Sequence, residues 1–211
     1  MSRDNQDPEL FGQTPWQTVG PFFHYALPWK GGADLVGASA LGARPELMPE
    51  AHDQLARSRP KGAVQGEIIE IRGRIIDGAG EPVPDALVEI WQADHEGNYA
   101  GDADAGFVGF GRCATGEDGA FGFRTIMPGR VAGPGNSVQA PHLAVGILGR
   151  GLLKRLVTRI YFGDRAGLDE DPILAFVPAA RRGTLIAKRD GEAYRFDIHV
   201  QGKDETVFFD F

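Results

Sequence analysis

Site chemistry needs lone pairs or charges held in register, so the histidines are the natural starting point. The chain has five: His24, His52, His95, His142 and His199. Two imidazoles on alternate residues of a strand, H-x-H, would share one face roughly 7 Å apart and could share a metal ion. The run here is His142-Leu143-Ala144, and the methyl of Ala144 has no lone pair to give. No H-E-x-x-H, C-x-x-C or 2-His-1-carboxylate spacing occurs, so these residues alone predict no self-contained metal site. His142 then reads as a hydrogen-bonded structural residue of a strand. A nucleophile is equally hard to find. There is no G-x-S-x-G elbow, and Cys113 falls in a predicted strand as a buried, inert thiol. Gly129–Gly135 is not followed by G-K-[ST] and reads as an irregular connection. Arg150, between Gly149 and Gly151, reads as a solvated loop guanidinium.

The elements that would position these residues are strands. In Glu67–Ile76 the residues Ile69, Ile71 and Ile75 alternate with Glu70, Arg72 and Arg74, a period of two. Asp77–Pro82 is a turn by its Gly and Pro content, and Leu87–Gln92 the next strand. Glu117-Asp118-Gly119 joins Arg112–Thr115 to Phe121–Thr125 and predicts a hairpin. Further strands are predicted at Pro141–Leu148, Leu156–Phe162, Thr184–Lys188, Tyr194–Val200 and Thr206–Phe211, with a helical turn at Ala179–Arg182. This pattern predicts an all-β fold, a β-sandwich of antiparallel or mixed sheets spanning 64–211. Residues 1–30 carry Pro15, Trp16, Pro21, Phe22, Phe23, His24, Tyr25, Pro28 and Trp29. That density of proline excludes a regular helix or central strand, so the segment reads as an extended aromatic arm that docks on a surface. Residues 31–63 read as an irregular connection, with one short helix near Pro49–Arg57.

Composition argues mainly by exclusion. An apolar share of 42% in 211 residues is too high for intrinsic disorder. With 22 basic against 29 acidic residues and no Lys/Arg run, a nucleic-acid partner is not expected. No uncharged apolar stretch reaches the ~18 residues of a membrane span. The polar start Met1–Asn5 and the single cysteine add the expectation of a cytoplasmic protein.

Several segments taken together carry a resemblance. Thr14-Pro15-Trp16-Gln17-Thr18-Val19-Gly20-Pro21-Phe22-Phe23-His24, Val88-Glu89-Ile90-Trp91-Gln92-Ala93-Asp94, Phe123-Arg124-Thr125-Ile126-Met127-Pro128-Gly129 and Ala140-Pro141-His142 resemble the intradiol ring-cleaving dioxygenases. The closing runs Tyr194–Ile198 and Glu205–Phe211 look like the non-catalytic, alpha-type chains of that family. The likeness covers nearly everything except roughly 31–62. It implies a family chemistry in which two tyrosinate oxygens and two histidine nitrogens hold Fe(III), hard anionic donors that favour the ferric state.

Carried over residue by residue, the likeness places Tyr99 and His142 at two of the four ligand positions. Val131 and Ala144 stand at the other two, and Gln139 stands where the family has a catalytic Arg. The resemblance therefore implies a vestigial site, no metal in this chain, and Fe(III) in a homologous beta-type partner within a larger hetero-oligomer. Thr18, Gly20, Pro21 and Phe22 of the arm, with Arg150, would line the partner's pocket, where protocatechuate meets O2 and is cleaved to 3-carboxy-cis,cis-muconate. A local guanidinium would offset the net charge of −7 towards an anionic substrate. Two alternatives remain open. One is a self-sufficient intradiol dioxygenase with an altered ligand set recruiting His95, His199 or Tyr161. The other is a transthyretin-like binding module without catalysis.

Overall fold

A computed structural model describes residues 17–20, 22–23, 32–37, 39, 41–42, 63–99 and 107–210. Eleven strands appear among them: β1 (Ile68–Ile76), β2 (Leu87–Trp91), β3 (Phe110–Ala114), β4 (Ala120–Ile126), β5 (Val131–Ala132), β6 (Val138–Gln139), β7 (His142–Leu148), β8 (Leu156–Phe162), β9 (Ile186–Asp190), β10 (Ala193–Arg195) and β11 (Ile198–His199). Two short helices, α1 (Pro172–Phe176) and α2 (Ala179–Arg182), lie between β8 and β9. Hydrogen bonding runs β11-β1-β10-β9-β8-β7-β2-β3, with β4 on the other side of β1, and β5 pairs only with β6. The result is two facing layers, β4-β1-β10-β9 and β3-β2-β7-β8, joined through β9. The pairing is mixed: β1 runs parallel to β10 and β11, and β8 parallel to β9.

The period-two reading explains the core. Ile69, Ile71 and Ile75 of β1, Phe121 and Phe123 of β4, Val88 and Ile90 of β2, and Leu143, Val145 and Ile147 of β7 point inward and form one buried cluster with Tyr194 and Phe196. Gln92 ties the layers at one end. Its Nε2 donates to the Ile126 carbonyl (3.0 Å), and its Oε1 accepts from the Thr125 hydroxyl (2.7 Å). A buried amide satisfied on both ends holds two elements in one register.

Four expectations need correction. The turn at Glu117–Gly119 exists, with Gly116 N donating to the Ala120 carbonyl (2.9 Å), but β3 and β4 do not pair as a hairpin. The segment 32–35 is inserted between their edges. Arg112 N donates to Gly32 O (2.8 Å), Arg124 N to Ala33 O (2.9 Å), and Leu35 N to Arg124 O (2.8 Å). The strap thereby bonds to both edges, at Arg112 and at Arg124. Buried Asp34 fastens the strap, accepting from Val36 N, Gly37 N and the Ser39 hydroxyl. Burial raises the Asp34 pKa, but these donors and the Arg124 guanidinium outweigh it and hold the carboxyl below its ordinary value.

The single strand expected over Tyr194–Val200 is split into β10 and β11. At the break, Phe196 N still donates to Arg72 O (2.9 Å), while the Asp197 side chain accepts from Arg74 N (3.1 Å) where a ladder carbonyl would. Gly73 makes the crossing possible, because a Cβ there would lie 1.9 Å from the Phe196 carbonyl oxygen. The strand expected at Thr184–Lys188 begins two residues later, after a 3₁₀ turn over Gly183–Leu185. Thr206–Phe211 forms no strand through its described residues. Thr206 N bonds to His199 O and Phe209 N to Val157 O, so the segment crosses between two elements instead of following one edge.

Candidate functional site

The site residues read from the sequence fall into two groups on the outside of the β3-β2-β7-β8 layer. The first is built where β7 begins. His142 faces Tyr161 across the β7–β8 ladder, and Ala144 faces both Arg159 of β8 and Trp91 of β2. Neighbouring strands lie about 4.8 Å apart, so Trp91 and Arg159 stand roughly 10 Å from each other across a single methyl. Tyr99 reaches the same place from the turn after β2. The Asp94 carboxylate caps that turn by accepting from Glu96 N and Asn98 N (both 2.9 Å), and its carbonyl accepts from Gly129 N (2.7 Å). Gly97 has φ +91, and a Cβ there would meet the Arg130 carbonyl at 2.0 Å. Tyr99 then stacks on Trp91, ring centroids 6.1 Å apart with planes 10° from parallel, and both rings stay about two-fifths exposed.

Gln139 and Val131 face each other across the β5–β6 pair, a small hairpin the sequence pattern did not reveal. Val131 is buried. Gln139 Nε2 donates to Ala132 O (2.9 Å), and its Oε1 accepts from Arg159 Nη1 (2.7 Å). The same Nη1 donates to the Tyr161 hydroxyl (3.1 Å). Tyr161, fully buried, donates to Asp171 Oδ1 (3.2 Å), the N-cap of α1. Asp171 also accepts from Ile173 N, Leu174 N and Ala140 N. The helix, through its cap, thus anchors the floor beneath the site. Asp171-Pro172, a capping residue followed by proline at the first helical position, was the sequence signal for α1.

The electrostatics follow from burial and one cation. His142 is buried, and its Nδ1 lies 2.8 Å from the Ala140 carbonyl, which can only accept, so the proton sits on Nδ1. Burial and then the Arg159 guanidinium push its pKa down to about 4, so the ring is neutral at pH 7. Burial raises the phenol pKa of Tyr161 and of Tyr99, with Arg159 opposing the rise in both. Arg159 is the residue that sequence reasoning missed. It reads as one more polar position of an alternating strand, yet it contacts Gln139 and Tyr161 and acts on His142 and Tyr99.

The second group sits at the far end of β7. Val19 forms a parallel bridge with Arg150, and Gly151 N donates to the Thr18 hydroxyl (2.7 Å). Gly20 follows at once, and Phe22, 75% exposed, lies beyond it. Arg150 Nε also pairs with Asp85 (3.2 Å). Thr18, Gly20 and Arg150 therefore meet on one surface, while Pro21 lies outside the described residues, as do His24 and His52. Seven strand residues separate the two groups, a distance of about 20 Å. Of the other candidate ligands, His199 lies on β11 beside β1 in the opposite layer, and His95 lies in the turn after β2. Only Tyr161 joins His142, with ring centroids 5.6 Å apart. Cys113 is buried, which raises its pKa.

A family model described as "Dioxygenase" matches residues 44–202. Similarity to the alpha chain of protocatechuate 3,4-dioxygenase from Burkholderia cepacia is 41% identity over 94% of this chain and 97% of that one. The chain belongs to the intradiol ring-cleaving dioxygenase family. The alpha chain from Pseudomonas putida is 40% identical over 96% of this chain and 98% of its own length, and the Burkholderia cepacia beta chain is 35% identical over 82% and 79%. Among solved structures of the family, the dioxygenase domain of a carbohydrate-binding fusion from Streptomyces sp. SirexAA-E superposes with a TM-score of 0.52 at 27% identity. That match covers 67% of this chain and 84% of that one.

Proposed function

We propose that this chain is the alpha-type subunit of a protocatechuate 3,4-dioxygenase, and that a homologous beta-type chain carries the Fe(III) and the ring cleavage. The observation that carries this reading is the near full-length likeness to two alpha chains, joined to a site whose residues do not fit iron. Of the four ligand positions implied by the family, Val131 and Ala144 offer only hydrocarbon. The Arg159 guanidinium, within hydrogen-bonding reach of Gln139 and Tyr161, puts a fixed positive charge where a metal cation would need its donors. Among the described residues no group of three or more His, Cys, Asp or Glu could hold a metal ion.

The arm supports the same reading. Thr18, Gly20 and Arg150 meet about 20 Å from this chain's own Tyr99 and His142, so any ring-cleaving pocket they line belongs to another chain. There Gly20 would let backbone approach a ligand, Pro21 would fix the chain direction, and Phe22 would cover an aromatic ring. Arg150, exposed and paired with Asp85, would supply a cation facing the substrate carboxylate. In the assembled enzyme, protocatechuate and O2 yield 3-carboxy-cis,cis-muconate with both oxygen atoms retained. This chain would shape the pocket, exclude water and build the assembly in the cytoplasm.

The test is purification of the chain alone and with a beta-type partner, followed by iron analysis and O2 uptake on protocatechuate. Stoichiometric iron and turnover are expected only with the partner. A ferric, coloured and active chain on its own would refute the assignment.

A further inference from the structure

Three cations stand in one row on the outside of the β4-β1-β10-β9 layer. Lys188 of β9 is directly across from Arg195 of β10, and Arg195 is across from Arg72 of β1. Their chain neighbours Ala187, Tyr194 and Ile71 belong to the core, so alternation turns all three cations outward. Neighbouring strands lie about 4.8 Å apart, and the row spans roughly 10 Å. Like charges set opposite each other destabilise a sheet, yet a chain of net charge −7 gathers three of them here. Its own carboxylates offset part of the cost. Arg195 Nε and Nη2 both donate to Asp197 Oδ2, and Arg72 Nη2 donates to Glu70. Lys188 is exposed and has no carboxylate within 4 Å among the described residues. The described hydrogen bonds leave Arg72 Nε and Nη1, Arg195 Nη1 and Lys188 Nζ uncommitted.

The row runs on into β4 at Gly122, which faces Arg72 and brings no side chain. A groove of about 930 Å³ opens there, where Arg72, Arg74, Arg124 and Arg195 outnumber Glu70, Asp190 and Asp197. A smaller hollow of about 380 Å³ shares Arg195 and Asp197 with it and adds Lys188. We propose that the row Lys188–Arg195–Arg72 binds a linear chain of phosphoryl groups, and that the groove at Gly122 receives whatever group carries them. A carboxylate ligand would only exchange places with Asp197 and Glu70. A terminal phosphoryl group brings up to two charges and three acceptor oxygens, so it gains where a carboxylate does not. Linked phosphates also reach cations spread over about 10 Å, which a single small anion does not span. The site lies in the opposite layer from Tyr99 and His142, and it rests on no assignment of the chain's activity.

The probe is tripolyphosphate, titrated calorimetrically into the full chain at constant ionic strength and without divalent cations. Orthophosphate and citrate are the arms that lack the chain of phosphates and the phosphoryl chemistry. Tripolyphosphate is expected to bind at least about tenfold more tightly than either. Lys188→Gln and Arg72→Gln, both at exposed side chains, are each expected to weaken it about fivefold, the upper worth of an exposed ion pair. Lys154→Gln, which removes the same charge far from the row, is expected to leave the affinity within twofold. ATP tells a nucleotide from a bare phosphate chain: tighter binding than tripolyphosphate assigns the nucleoside to the groove, equal binding assigns the chain alone, and both uphold the site. Absence of tripolyphosphate binding, citrate binding as tightly, or affinities within twofold of wild type in both row variants would overturn the proposal. So would a loss in Lys154→Gln as large as in the row variants. If a row variant does not fold, the wild-type ranking of tripolyphosphate against orthophosphate and citrate decides alone.

Discussion

Asp171 offers the sharpest quantitative prediction, because one buried carboxylate closes four contacts. It caps α1 through Ile173 N and Leu174 N (both 2.9 Å), holds Ala140 N (2.8 Å) and accepts from Tyr161 (3.2 Å). Replacing it with Ala removes the cap, worth about 1 kcal/mol. It also strands the Ala140 amide, a fully buried group, at about 1–3 kcal/mol. The Tyr161 hydroxyl loses its acceptor but keeps Arg159, so its share lies at the low end of that range. Taken as a sum, Asp171→Ala should cost about 3–5 kcal/mol. In a chain of this length that is a fall in Tm of roughly 10 °C. Asp171→Asn should cost less, about 1–2 kcal/mol, since one amide oxygen still accepts while the NH₂ opposes a donor. Urea unfolding followed by circular dichroism measures both. A loss under about 1 kcal/mol for the Ala variant would show that the site floor is held by apolar packing and not by this carboxylate.

Three further outcomes follow. His142 titrates near 4 when folded and near 6.5 when unfolded, so between those values the unfolded chain binds more protons and stability rises with pH. Acidification from pH 7 to pH 4 should therefore remove up to about 3 kcal/mol, and His142→Gln should flatten that part of the curve; an unchanged slope would mean the ring is charged in the fold. Gly73→Ala drives a methyl into the Phe196 carbonyl and should cost more than ~3 kcal/mol in thermal unfolding, because backbone cannot yield there. Deleting residues 1–24 should raise KM for protocatechuate in the assembled enzyme, or reduce its size on gel filtration; unchanged kinetics and size would remove the arm's role.

How much of this was legible depends on which residues carried a local signal. The inward faces of β1, β2, β4 and β7 were readable because alternation alone decides which side chains avoid water. The hairpin at Glu117–Gly119 was misread for a non-local reason. The turn chemistry is real, but the competing partner, the strap at Gly32–Leu35, lies nearly ninety residues away and has no periodicity of its own. The break between β10 and β11 depends on Gly73 in another strand, which no window around Phe196 contains. At the site, Val131 and Ala144 are legible only as residue types that have no lone pair to give. Arg159 was not, since an outward arginine on a strand looks like any solvated position until cross-strand register sets it beside Gln139 and Tyr161.

That register also shows what Arg159 does for the fold. A buried neutral His142, a buried Tyr161 and an amide at Gln139 converge on one small region, and without a central group each would need a separate hydrogen-bond partner. A metal ion would meet that need by binding lone pairs. The guanidinium meets part of it by the opposite chemistry, donating from a single nitrogen to Gln139 Oε1 and the Tyr161 oxygen. It extends from a strand residue, so it is delivered by folding itself and needs no ion from solution. A positive charge is thereby fixed beside Gln139 and Tyr161 without any ion. The neighbouring side chains of Val131 and Ala144 are hydrocarbon and ask for no partner of their own. In this chain the described arm contacts lie at the other end of β7, where Thr18 meets the Arg150–Gly151 loop.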